Sequence, residues 1–489
     1  MEPNSIGLNA DCFPMKNRRE LLQMSLLAGG AFLAAPAFLR DSAFALSPDT
    51  DLPHDPWSQL PAILDRIKPP AFPDRSFSIT KFGAVADNKT DNTAAFQKAI
   101  AACAQAGGGR VVVPAGDFLT GAIELKSNVN LHVNKRATIR FTRDTTKYPL
   151  VFTRWEGVEL MNYSPFIYAF RQKNVAITGE GTIDGNSDCE HWWPWKGRAN
   201  CGWKKGDPNQ ENDRSNLFAM AEKAVPVSRR VFGQGHYLRP QFIQPYACRN
   251  VLIEGVSLRG SPMWQVHPVL CTNVTVRGVN INAFGPNTDG CDPESCTDVL
   301  IKDCFFNTGD DCIAIKSGRN ADGRRTGVPA RNIVIQGCRM KDGHGGVSVG
   351  SEISGGVSNV FAENCQMDSP HLDSAIRIKN NAMRGGLLEN IYARNIEIGQ
   401  VSDAGLSIDF FYEEGQAGKF TPVVRNVELR NVKVQKAGYA VFLRGFKDAP
   451  IQDVRLVGCD FNAAKSNIIE NVKDISLRDV RVNGKLLGS

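Results

Sequence analysis

The sequence predicts an all-β protein, a right-handed parallel β-helix with an N-terminal capping helix. Three observations carry that prediction. First, a short unit recurs: Asn or Asp, an apolar residue, then alternation. It appears as "NVAIT" at Asn174, "NVLIEGVSL" at Asn250, "NVTVRGVNI" at Asn273, "DVLIKDCFF" at Asp298 and "NIVIQGCRM" at Asn332. It continues at Asn359, Asn390, Asn426, Asp453 and Asp474. A period of about twenty to thirty-odd residues, filled with strands and turns, marks a solenoid of about three short strands per coil. Second, the sixth residue after each Asn or Asp from Asn250 onward is Val256, Val279, Cys304, Cys338, Cys365, Ile396, Val432, Cys459 and Val480. Such a series reads as one inward column, with coils stacked about 4.8 Å apart. Third, Phe96, Ile100 and Cys103 recur at helical spacing ahead of the repeat, which suits a cap over the first coil. The handedness follows the crossover rule for parallel strands.

Taken in order, residues 1–45 read as a twin-arginine-type export signal. Arg18 and Arg19 precede "MSLLAGGAFLAAPAFL", with Ala43-Phe-Ala45 as one possible cleavage site. The other reading is an uncleaved anchor, for which the run is short. The mature protein is expected in the periplasm or outside the cell, with no later segment apolar enough to span a bilayer. Pro-rich residues 46–75 suggest an extended linker or wrap. Thr90 and Asp91 are candidate N-caps for a helix near residues 91–105, stopped by Gly107-Gly-Gly109. Residues 76–489 are then a single β-helix domain. Its large departure, about 185–245, holds Trp192, Trp193, Trp195 and Trp203. An insertion of this kind is either a loop on the binding face or a packing flap.

The chain has 489 residues, 42% apolar and 22% charged, which is ordinary globular material. A net charge of +6 gives no basis for nucleic-acid binding and is compatible with an acidic substrate. Thirteen cysteines in an exported chain would suggest disulfides. Yet Cys304, Cys338, Cys365 and Cys459 fall in the inward column, where a thiol acts as a small hydrophobe. Cys189/Cys201 and Cys291/Cys296 lie in loops, and bridges there remain open. The glycine run lacks a following Gly-Lys-Ser/Thr, so it is no phosphate loop. No zinc spacing or calcium loop is present, and no metal or cofactor is expected. The recurrent Asn and Asp are expected to cap turns through side-chain to backbone hydrogen bonds.

Several polar residues break this phase. "GPNTDGCDPESC" supplies Asn287 and Asp289, "TGDDCIAIKSG" supplies Asp310 and Asp311, "DGHGGVSVGSE" supplies His344, and "DSAIRIKNN" supplies Arg377 and Lys379. Asp310 and His344 both lie 12 residues after their coil's Asp298 or Asn332, so they should stack. Aligning Asp289-Gly-Cys with Asp311-Cys-Ile puts those two acids in one column, and Lys316 shares a phase with Lys379. Stacked carboxylates repel unless one keeps its proton, which makes an acid and a base at mildly acidic pH. In a flat strand, Asp310 and Asp311 would face opposite ways. A bend at Gly309 is expected to turn both to one cleft.

Together Asn287-Thr-Asp289, Gly309-Asp-Asp311, Gly343-His-Gly345 and Arg377-Ile-Lys379 resemble glycoside hydrolase family 28, the polygalacturonases, over roughly residues 75–480. "FGAVADNKTDNTAAFQKAI" is similar to the family's N-terminal coil. The resemblance implies hydrolysis of α-1,4 bonds of polygalacturonate or pectin oligosaccharides, with inversion. Asp310 would be the general acid, and Asp289 and Asp311 would hold and deprotonate the attacking water. His344 would set the acid's protonation or bind substrate. Asn287 would bind substrate, while Arg377 and Lys379 would bind a uronate carboxylate, which suits an Arg fork and a Lys point charge. His267 in "SPMWQVHP" and Tyr412 in "SIDFFYEEG" are further candidate substrate contacts. Exo action is favoured over endo action. A pectate lyase and a non-catalytic polysaccharide-binding β-helix are the rival classes, and the oligomeric state is not legible.

Overall fold

In the computed structural model, which describes residues 55–487, the chain winds into a parallel β-helix. The export-signal reading of residues 1–45 lies outside the described residues. Each repeat unit pairs in parallel with its counterpart on the next coil. Val251 pairs with Val274, Val274 with Val299, Val299 with Ile333 and Ile333 with Val360. The column runs on through Ile391, Val427, Val454 and Ile475. A second, six-stranded sheet contains Ile313–Ile315, Gly343–Val349, Leu372–Lys379, Ala404–Asp409, Tyr439–Arg444 and Ile468–Glu470. The candidate site lies along the leading edge of this sheet.

The sixth-position column is buried throughout, from Val256 to Val480. Each Val or Ile of the column stabilises the fold by about 1.5–3 kcal/mol relative to exposure, and stacking makes one continuous core. Cys304, Cys338, Cys365 and Cys459 are buried thiols within it. Cys291 and Cys296 are also buried thiols, so the bridge left open between them is not formed.

The repeated Asn and Asp behave differently from the expected turn caps. From Asn250 to Asp474 each has a positive φ, between 52° and 60°. Asn and Asp tolerate this left-handed conformation better than other side chains. Their amides hydrogen-bond up the stack, Asn250 to Asn174, Asn273 to Asn250, Asn332 to Asp298 and Asn359 to Asn332, at 2.8–3.0 Å. The ladder is therefore side chain to side chain, because a solenoid brings the same residue back one strand spacing away.

The capping helix spans Thr93–Gln105 and buries Phe96, Ile100 and Cys103. The Asp91 carboxylate accepts from the Thr93 backbone N–H at 2.9 Å. Thr90 instead bonds Asp87. From residue 55 on, the expected extended segment is partly helical, with a 3-10 turn at Pro56–Gln59 and a helix at Leu60–Arg66. Trp57, Leu60, Ile63 and Ile67 pack on Val334, Phe361 and Tyr392 outside the coils.

The insertion after Thr182–Asp184 is compact. It contains 3-10 turns at Trp193–Lys196 and Ala199–Cys201 and a helix at Glu211–Glu222. An antiparallel hairpin, Leu150–Trp155 with Val158–Tyr163, packs against it. Trp155, Leu160, Leu217, Phe232, Leu238, Met263 and Trp264 form a second core there.

Candidate active site

Coil stacking brings the out-of-phase residues together. The bridge of Cys291 to Ile313, and the pairing of Ile313 with Val347 and Val347 with Ile376, place Asp289 beside Asp311. The same register puts His344 beside Asp310 and Lys379 in the column of Lys316. The strand Phe305–Thr308 ends at Gly309 and a new strand begins at Ile313. A side chain on residue 309 would come within 2.3 Å of the Gly285 carbonyl oxygen on the previous coil. Glycine thus lets the backbone break against its neighbour, and both aspartates turn to one side. One oxygen from each of Asp289, Asp310 and Asp311 lies within 4.8 Å of the others.

The three acids differ in environment. Asp310 is the most accessible, its side chain 20% exposed against 3% for Asp289 and none for Asp311. Burial, then the charges of Asp292 and Asp310, holds the Asp289 carboxyl well above the usual range. Its Oδ1 has no hydrogen-bond partner among the described residues. Burial also acts to raise Asp310, but the charge and hydrogen bond of His344 outweigh it, and the carboxyl falls below the usual range. His344 is raised, chiefly by the Asp310 charge. Asp310 Oδ2 accepts from the Asn287 amide at 3.3 Å, and its Oδ1 accepts from the Asp311 backbone N–H at 3.0 Å. Asp311 Oδ1 accepts from Ser348 at 3.0 Å, and its Oδ2 is bound by Lys379.

The cations follow the expected order along the groove. Arg377 donates to the His344 carbonyl at 3.1 Å and lies 4.0 Å from Asp311. The Tyr412 ring stands under both Arg377 and Lys379, 5.6 and 5.4 Å from their charges. Lys379 is buried against Asp311, so it fixes an acid as well as adding positive charge. By spacing, the three carboxylates could ligate a divalent cation. Lys316 and Lys379 already offset two of them, and His344 pairs with the third.

His267 requires correction as a substrate contact. It is fully buried; Gln244 donates to its Nδ1 at 3.0 Å, and its Nε2 meets Glu294 at 2.7 Å. Burial lowers its pKa. Its neighbour Trp264 occupies the position next to Asp289 and carries Lys316 on its ring face, 4.1 Å from the centroid. Lys316 in turn lies 3.5 Å from Asp289 and 3.3 Å from Glu352. His267 is thus a support beneath the groove.

Four residues of the site were not assigned from the sequence. Glu352 closes "GHGGVSVGSE" and pairs with Lys316 and Arg319. Asp292 lies in "NTDGCDPE", fully buried, and burial raises its carboxyl well above the usual range. Lys316 was legible only as a shared phase. Arg239 lies in the aperiodic insertion, where no spacing could flag it, yet it donates to Asn287 Oδ1 at 2.8 Å.

Comparison with known proteins agrees with this geometry. Residues 232–480 match the family model for glycosyl hydrolases family 28, and residues 76–194 match one for rhamnogalacturonase A/epimerase, pectate lyase-like. A probable polygalacturonase from Vitis vinifera is 30% identical over 78% of this chain and 72% of its own. An exo-poly-alpha-D-galacturonosidase from Dickeya chrysanthemi is 26% identical over 73% of this chain and 62% of its own. The crystal structure of an exopolygalacturonase from Thermotoga maritima superposes with a TM-score of 0.85 at 46% identity, covering 88% of this chain and 96% of that one. With the acids, the histidine and the Arg–Lys pair gathered on one face of a parallel β-helix, the chain belongs to glycosyl hydrolases family 28 and is a glycoside hydrolase.

Proposed function

We propose that the protein is an exo-acting polygalacturonase, hydrolysing α-1,4-galacturonosyl bonds of polygalacturonate and releasing galacturonate from chain ends. One observation carries the reading. Three carboxylates converge within 4.8 Å, between the Arg377–Lys379 pair on later coils and the insertion docked on earlier ones. Trp193 donates to the Ser261 carbonyl at 2.9 Å, and Arg239 binds Asn287, so the insertion stands against the coil that precedes Asp310. A groove covered at one end favours chain ends over internal bonds.

Asp310, the most accessible acid, protonates the glycosidic oxygen. In the open groove its proton is held on His344. A substrate that displaces water disfavours this separated charge pair and returns the proton to Asp310. Asp289 and Asp311 hold the attacking water, Asp311 taking its proton as the water oxygen bonds the anomeric carbon, and Arg377 and Lys379 draw in the sugar carboxylate. The carboxylate spacing is shorter than the roughly 6.5–9.5 Å usual for inverting pairs. Inversion therefore rests on family membership, and NMR of the first anomer released checks it. The Arg18-Arg19 stretch supports export; a mature N-terminus near residue 46 in a secreted or periplasmic fraction would bear that out. Among the described residues no helix is long and apolar enough to cross a membrane.

Chromatography of early products from long polygalacturonate tests the main reading. Monomer alone is expected. A ladder of oligomers would mean endo action, and products with ultraviolet-absorbing double bonds would mean a lyase.

A further inference from the structure

Two cations of the insertion that are withdrawn from solvent, Arg239 and Lys196, form no ion pair among the described residues. Arg239 is fully buried, and all its hydrogen bonds go to neutral acceptors: Gln210 Oε1 at 3.0 Å, the Pro262 and Pro286 carbonyls at 2.9 and 2.6 Å, and Asn287 Oδ1 at 2.8 Å. Lys196 is half-buried, and its ammonium has no hydrogen-bond or ion-pair partner among the described residues. Glu156, the acid that acts on it most, is already paired with Arg214 at 2.8 Å. Burial pushes Lys196 down to about 8 and Arg239 down to about 10. A cation removed from water without a counter-ion is costly, so the two cations favour an incoming anion.

The turn carrying Lys196 is pinned to the groove. Its Trp193 ring fills the space a side chain on Gly285 would take, 2.3 Å from that Cβ position and two residues before Asn287. Trp195 accepts from the backbone of Gln210 at 2.7 Å, and Gln210 holds Arg239. The turn carrying Lys196, and Arg239 with it, therefore sit against coils that precede Asp310, whereas Arg377 and Lys379 stand on a later coil.

We propose that Lys196, backed by the charge of Arg239, receives the carboxylate of the non-reducing terminal galacturonate, across the scissile bond from Arg377 and Lys379. This rests on the exo reading and assigns it a specificity determinant. The ammonium donates to a uronate oxygen, and a neutral hexose in that place leaves the cation unpaired.

The test compares digalacturonate with a disaccharide whose non-reducing unit is galactose. The wild type should favour the uronate by roughly ten- to a hundredfold in kcat/KM, with the preference fading as pH rises past about 8. Lys196→Met should abolish the preference by lowering kcat/KM on digalacturonate with no matching loss on the galactose-ended substrate, and an unchanged thermal midpoint shows that the fold is intact. Lys196→Arg should keep it. A preference that survives Lys196→Met, or an equal loss on both substrates, overturns the proposal, even where monomer-only release leaves the exo reading standing. A product ladder from the wild type overturns the exo reading and with it the assignment to a terminal unit.

Discussion

Nδ1 of His344 lies 3.0 Å from Oδ1 of Asp310, on the neighbouring coil. The two residues are 34 apart in sequence and share one backbone register. Their pKa values move in opposite directions, so the pair titrates as a unit.

The pair makes stability depend on pH in a defined window. Asp310 is lowered on folding, so its contribution is present above its unfolded value and is lost as pH falls toward the folded one. His344 is raised, so its contribution is present below its unfolded value and is lost as pH rises through the folded one. Both act together between about pH 4 and 6.5. Thermal midpoints of the wild type and Asp310→Asn, followed against pH, should differ most there. A difference independent of pH would contradict the pairing.

Asp310→Asn keeps the shape and removes the transferable proton. Turnover should fall by about 10²–10⁴, with KM little changed. A stopped assay on trigalacturonate measures this, and near-normal turnover would remove Asp310 from the acid's role.

Lys379→Met leaves Asp311 buried without its main counter-ion. Breaking a buried pair in this way costs about 3–5 kcal/mol, so urea unfolding should show a large loss of stability. Arg377→Ala acts nearer the surface, its side chain 13% exposed. We expect it to raise KM for oligogalacturonates roughly tenfold or more with a smaller change in stability. Equal stability losses would mean that both residues serve structure.

Asn359 separates backbone from ladder. It has φ +58° and bonds both Asn332 and Asn390. Asn359→Ala should destabilise by about 2 kcal/mol or more, from left-handed backbone strain and lost hydrogen bonds. Asn359→Gly relieves the strain and should recover part of that loss. If the two variants unfold alike, conformation is not the reason for Asn at this position.

The acids, His344 and the Arg–Lys pair were readable because they interrupt a regular pattern, and a strand repeat converts offset into position. His267 was misplaced because its offset gave the coil but not the direction of its ring, which the Glu294 carboxylate and the Gln244 amide draw inward. The Asn ladder was misread as local capping because its partners are other copies of the same residue, 23 to 76 positions away. Arg239 and Lys196 were missed for the opposite reason, since the insertion has no period to read.

By itself the sequence determined the coil, its inward columns and the order in which the groove's charges appear, because a stacked parallel strand returns each residue to the same place at one fixed spacing. Only the tertiary structure decided which carboxylate reaches solvent, which is buried against a lysine, and where the insertion seats its unpaired cations. Those outcomes depend on burial and on contacts between segments with no common repeat, and no local pattern records them.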